Sequence, residues 1–121
     1  MHSGTLTLIG VGALRLQTIL QGKNMSLRKK QSEFVNMVAL LIFYASGLGL
    51  ELTFGDAWAQ SGHKNNSLHY DRLAIDLNLF KDGEYLISTE DHQALGEFWE
   101  LIGGSWGGHY DDGNHYELKN D

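Results

Sequence analysis

"SLHYDRLAIDLNLFKDGEYLIS", residues 67–88, is the stretch on which the fold turns. Leu73, Ile75, Leu77 and Leu79 alternate with Ala74, Asp76, Asn78 and Phe80, a period of two that predicts a strand over 73–80 with one face buried. Lys81-Asp82-Gly83-Glu84 then carries the Asp-Gly pair favoured in tight hairpins, and "YLIS" returns as the next strand. The polar face raises the chemical question. His69 and Asp76 are seven residues apart, and an odd separation along one continuous strand puts two side chains on opposite faces. A turn at Asp71-Arg72 removes the conflict: His69 then faces Ala74, and Asp76 becomes its diagonal neighbour on the same face, within reach of a shared ion. Small Ala74 leaves room for it.

Outward from this stretch the chain reads as α+β. Ser26 is a candidate N-cap for a helix through about Ser46, with Phe34, Val38, Leu41 and Ala45 at helical spacing and Gly47 at its C-terminal end. "LELTF", 50–54, alternates as a strand with Leu50, Leu52 and Phe54 on one side. A polar loop, "GDAWAQSGHKNNS", follows. Ser88 or Thr89 is placed to cap a second helix over roughly 90 to 102, burying Leu95, Phe98, Trp99 and Ile102 and ending at Gly103-Gly104. The tail, "SWGGHYDDGNHYEL", reads as a glycine-rich loop, a tight turn and a last short strand. The expectation is two helices packed on a small, mainly antiparallel sheet, with a metal site in a cleft.

Composition narrows the chemistry. A chain of 121 residues is expected to hold one domain. Residues 25–121 are expected to form it, with residues 1–24 as an N-terminal extension of uncertain origin. That extension contains the apolar "TLTLIGVGALRL" but has no basic region ahead of it, and no run reaches bilayer-spanning length. No stable membrane association is expected. With no proline and fifteen glycines, glycine supplies the turn punctuation. With no cysteine, disulfides and thiolate metal sites are excluded, so a metal must be held by histidine and carboxylate. A formal charge of −6, with no basic cluster beyond Arg28-Lys29-Lys30, argues against nucleic acid as a partner. That cluster reads as a solvated helix face.

The tail offers a further ligand. In "DDGNHYE", Asp112 and His115 flank Gly113-Asn114, a pair suited to a turn. Catalytic zinc takes three protein ligands and keeps a fourth position for water. Asp112, beside His115 without being needed as a ligand, is placed to take that water's proton. Read from spacing alone, the same residues also suit an ordinary histidine-bearing surface.

"SLHYDRLAIDL" resembles the Ser-x-His-x-x-Gly-x-Ala-x-Asp-Leu signature of the zinc peptidases that include D-alanyl-D-alanine carboxypeptidases and phage L-alanyl-D-glutamate endopeptidases. "SWGGHYDDGNHYEL" resembles their closing segment, a tryptophan followed by Asp-x-x-His. The endolysin branch is most similar, through "RLAIDLNLFKDGEYL", "TEDHQALGEFWE" and "SWGG". The likeness spans about residues 26–118. It implies that His69, Asp76 and His115 bind Zn2+, that Asp112 is the catalytic base and that Ser67 touches substrate. It also implies a peptidoglycan peptidase hydrolysing the L-Ala-D-Glu bond of the stem peptide, with a D-Ala-D-Ala carboxypeptidase or a non-catalytic zinc-binding module as alternatives. On the lysis reading the protein would wait in the host bacterial cytoplasm and depend on a holin-like partner to reach the wall.

Two positions depart from the signature. Arg72 stands where relatives carry glycine, and Ala59 stands after Trp58 where many carry an oxyanion-stabilising arginine. Lys64, His63 or Arg72 would take that role, or the metal would act alone. Further substrate-contact candidates are Trp106, before flexible Gly107-Gly108, and His109. Trp58, Trp99 and Trp106 are otherwise expected in the core, His92 in solvent and His2 in the extension.

Overall fold

The computed structural model describes residues 25–63 and 67–119. Helix α1, Leu27–Gly47, starts where Ser26 accepts a hydrogen bond from the Lys29 amide at 3.2 Å. Its buried stripe is Phe34, Met37, Val38, Leu41 and Ala45. The helix includes Gly47, and the left-handed residue that reverses the chain is Gly49, at φ +76°. The Leu50 amide then bonds back to the Ala45 carbonyl at 3.0 Å, completing the cap two residues later than the sequence suggests.

Among the described residues five strands follow, all antiparallel where they pair: β1 Glu51–Phe54, β2 Ala74–Lys81, β3 Glu84–Leu86, β4 Gly104–Trp106 and β5 His115–Leu118. β2 is the spine. It pairs with β1 from Leu77 to Phe80, with β3 from Leu79 to Lys81 and with β5 from Ala74 to Asp76, and β4 pairs with β5. The Asp82-Gly83 turn joins β2 to β3 with both residues at positive φ, 51° and 82°, the conformation that selects Asp-Gly. Gly103-Gly104 at its start and Gly107-Gly108 directly after it hide β4 from pattern reading, because glycine supplies neither alternation nor strand propensity.

Helix α2, Gln93–Leu101, is preceded by a 3-10 turn over Glu90–His92. Ser88 rather than Thr89 provides the cap: its hydroxyl accepts from the Asp91 amide at 3.1 Å while the Asp91 carboxylate accepts from the Ser88 amide at 3.3 Å. Leu73, Ile75, Leu77 and Leu79 turn inward to meet the α1 stripe, Leu95 and Trp99 of α2, and Tyr116 of β5. Phe98 and Ile102 are only partly buried at the margin. Phe54, expected on the buried side of β1, is 64% exposed at the strand end, beyond the reach of the helices. Two helices on an antiparallel sheet make an α+β fold, with the site on the sheet face away from the helices.

His92 corrects the expectation of a solvated residue. It is 1% exposed, and its Nδ1 lies 2.8 Å from the Tyr116 hydroxyl. Tyr116 is fully buried and needs a partner for that hydroxyl, and its partner is 24 residues away along the chain. Trp58 is also corrected: it is 44% exposed, with the Arg72 guanidinium 4.4 Å from its ring centroid. Trp99 and Trp106 are buried as expected.

Candidate metal centre and active site

Alternation along β2 and β5 builds the site. Asp76 points away from the helices, and antiparallel register sets His115 directly opposite it. His115 Nδ1 lies 3.2 Å from Asp76 Oδ1. The second histidine arrives differently from the two-residue hairpin expected at Asp71-Arg72. Leu68–Asp71 form a 3-10 turn capped by the Ser67 hydroxyl, which accepts from the His69 amide at 3.2 Å. Arg72 then takes the left-handed conformation, φ 60° and ψ 36°, and returns the chain to β2. His69 therefore does not pair with Ala74 across a ladder, yet its Nε2 comes within 3.3 Å of Asp76 Oδ1. The left-handed backbone also gives a physical reason for the signature's glycine at this place, since a side chain there costs ~1–2 kcal/mol.

His69, Asp76 and His115 each offer a ligand atom, and these atoms all lie within 4.8 Å of one another. Around them runs a cleft of about 730 Å³ lined also by His63, Ser67, Ser105, Trp106, Tyr110, Asp112 and Glu117. The donor set fits a divalent cation such as zinc: two imidazoles and a carboxylate converge, and Asp112 and Glu117 add further negative charge around them. Burial lowers the His69 pKa, with Asp76 opposing that effect and His115 and His63 adding to it, so the imidazole is held neutral. A neutral imidazole has the lone pair a metal needs. Its Nδ1 is buried with no hydrogen-bond partner among the described residues. For His115, burial also disfavours charge, but the hydrogen bonds and charges of Asp76 and Glu117 outweigh it and push the pKa up to about 9.

Backbone contacts fix the ligands. The Asp76 amide donates to the Asp56 carbonyl at 2.9 Å, and the Gly55 amide to the Asp76 carbonyl at 2.7 Å. The loop before His115 is closed by amides of Asp112 and His115 donating to the carbonyls of Gly107 and Asp112, at 3.0 and 3.1 Å. Trp106 braces this loop, its Nε1 donating to the Gly113 carbonyl at 2.7 Å. Its ring lies where Cβ atoms on Gly96 and Gly108 would sit, so both positions are held to glycine by packing.

The other candidates fall in distinct places. Ser67 is buried at the cleft wall, and Asp112 lies exposed along it. Trp106 is almost fully buried and contributes to the cleft lining. His109 lies outside the cleft lining, bonded to the Glu100 carboxylate at 2.9 Å. Arg72 is likewise absent from the lining, stacked instead on Trp58. His63 does face the cleft: its ring stacks on His69 with centroids 4.2 Å apart, and its Nε2 lies 3.1 Å from Asp56 Oδ2. Lys64 and residues 1–24, His2 included, lie outside the described residues. Sequence reasoning missed Glu117, Tyr110 and Ser105. Glu117 carried a readable signal, since it lies two residues after His115 and so shares its face of the strand.

Comparison with known proteins agrees with this geometry. Residues 61–118, a little under half of the chain, match a family described as D-alanyl-D-alanine carboxypeptidase, one of the zinc metallopeptidases. The matched span holds His69, Asp76, Asp112 and His115. No curated protein matches the chain.

Proposed function

We propose, from this family match and the residues inside it, that the protein is a zinc-dependent peptidase of the bacterial peptidoglycan stem peptide. The observation that carries the proposal is the convergence of His69, Asp76 and His115 within 4.8 Å in a cleft that Asp112 also lines. His69, Asp76 and His115 would hold the ion. When bound, zinc supplies Lewis acidity, polarising a carbonyl and making a water easier to deprotonate. Asp112 takes the proton of the attacking water and passes it to the departing amine. Its carboxylate sits three residues before His115 on a braced turn, so it meets the same space from the side. Ser67, at the cleft wall, contacts the peptide. His63 lines the same cleft, pinned by Asp56, by its amide donating to the Tyr70 hydroxyl and by its carbonyl accepting from it, and it takes the role that the resemblance gives to an arginine.

Cleavage of the L-Ala-D-Glu bond is the favoured activity, because the endolysin branch carries the strongest sequence resemblance. Removal of terminal D-Ala is the second reading, favoured by the description of the matched family. Under the first reading the protein acts at the wall after release from the host cytoplasm with the help of a membrane-permeabilising holin. No helix among the described residues is long and apolar enough to cross a membrane. Incubating the zinc-loaded protein with purified peptidoglycan and identifying the products by mass spectrometry tests both readings. New amino-terminal D-Glu supports the endopeptidase and free D-Ala the carboxypeptidase. Neither product, from a protein shown to hold zinc, refutes peptidase function.

A further inference from the structure

We propose that Glu117 is a positioning residue for His115, and that the metal affinity of the site depends on its carboxylate. The inference rests on the metal site proposed above and deepens it. His115 and Glu117 are two apart on β5, so their side chains rise from the same face. The His115 ring is held at both nitrogens: Nδ1 lies 3.2 Å from Asp76 Oδ1 and Nε2 lies 2.7 Å from Glu117 Oε1. Only Nδ1 is directed at Asp76 and His69. An imidazole that gives Nδ1 to a metal keeps its proton on Nε2, and that proton needs an acceptor. Glu117 supplies it.

Such a carboxylate–histidine pair fixes the tautomer, stops the ring from flipping and raises the basicity of the ligating nitrogen. The two histidines differ in this respect. His69 Nδ1 has no partner among the described residues, and its ring is set by packing against His63 and His115. His115 alone has a side chain behind it that sets its pose.

The backbone of Glu117 is anchored independently of its carboxylate. Its carbonyl accepts the Trp99 indole N–H at 2.8 Å, and it is paired with Ala74 on one side and Ser105 on the other. Both neighbours are small, so the carboxylate has room to lie along the strand toward His115. Substitutions of this side chain therefore act on the ring while leaving the strand in register.

The experiment is zinc competition against a chromophoric chelator, with the full chain at fixed pH, comparing wild type, Glu117→Ala, Glu117→Asp and Glu117→Gln. Glu117→Ala should bind zinc roughly ten- to a hundredfold more weakly. Glu117→Asp, one methylene short of Nε2, should weaken binding similarly and serves if the alanine variant fails to fold. Glu117→Gln keeps an oxygen that accepts the Nε2 proton and should recover most of the affinity. With Co2+ in place of zinc, the visible spectrum should change in the alanine variant and return in the glutamine variant. Wild-type affinity in both Glu117→Ala and Glu117→Asp would overturn the inference. So would a Glu117→Gln variant that keeps zinc yet loses hydrolysis more than a hundredfold, since Glu117 would then be moving a proton. A wild-type chain that binds no zinc would instead overturn the metal site on which the inference rests.

Discussion

Adding one methyl group at Gly107 should disable the site without replacing any of its functional side chains. Gly107 opens the turn that runs to His115, and a Cβ there would collide with the Asp112 carbonyl oxygen and come within 2.9 Å of His115 Cβ. Ordinary contact begins at 3.4 Å, so His115 alone must yield about half an ångström, and the Asp112 carbonyl must yield more. That carbonyl accepts the His115 amide at 3.1 Å, so the two displacements are coupled. Functional constellations tolerate errors of only ~0.5 Å, and a displacement near 1 Å costs on the order of a hundredfold in rate. Gly107→Ala should therefore weaken zinc binding measurably and lower hydrolysis about a hundredfold, with overpacking costing ~1–3 kcal/mol of stability. Gly47→Ala is the matched control: its Cβ meets nothing within 4 Å on the last turn of α1, and it should leave both readouts unchanged. The assays are chelator competition, product release from peptidoglycan and thermal unfolding. A Gly107→Ala protein with wild-type affinity and wild-type turnover would refute the claim that this turn sets ligand geometry.

Four further outcomes follow from the same geometry. Asp112→Ala should keep zinc and fold but lose hydrolysis at least a hundredfold, the usual contribution of a general base; loss of the metal instead would make Asp112 a ligand. His115→Ala should abolish zinc binding at micromolar metal, measured as stoichiometry after dialysis, and an unchanged stoichiometry would remove it from the ligand set. Zinc should raise the unfolding midpoint of the full chain and of a chain lacking residues 1–24 alike, because it binds the folded state. That gain should grow as pH rises from 6.5 toward 9, since the His115 proton, held up to about 9 without metal, must leave; a midpoint unmoved by chelator at pH 9 would refute the coupling. His92, whose pKa burial lowers against a smaller opposing effect of Asp91, takes up a proton on unfolding below pH 6.5. Its contribution to stability is therefore present above 6.5 and lost progressively as pH falls below that value through the lowered folded-state pKa. His92→Gln should flatten this acid-side loss in chelator-treated protein, read as the midpoint between pH 7.5 and 5.

Sequence by itself determined the elements whose signals are local. Leu73, Ile75, Leu77 and Leu79 declared β2 through their period, Asp82-Gly83 declared its hairpin, and Ser26 with Phe34, Val38, Leu41 and Ala45 declared α1. In each case the chain's own sterics and capping select the conformation. That His69, Asp76 and His115 belong to one cluster was legible from the two motifs; alternation put Asp76 on the polar face of β2, whereas the hairpin expected to bring His69 beside it is not the turn that does so. What only the tertiary structure decided depends on partners far apart in the chain. The 3-10 turn and left-handed Arg72 deliver His69 without a hairpin, because the backbone must return to a β2 already paired with β5. His92 is buried because Tyr116, on distant strand β5, needs a partner for its hydroxyl. Strand β4 exists because β5 offers it a free edge, although its own residues carry no strand signal. Glu117 acquires its proposed role only when folding places its carboxylate 2.7 Å from one side of an imidazole whose other side faces Asp76. Spacing fixes which face a side chain takes; distance to a residue on another strand is set by the packing of the whole sheet.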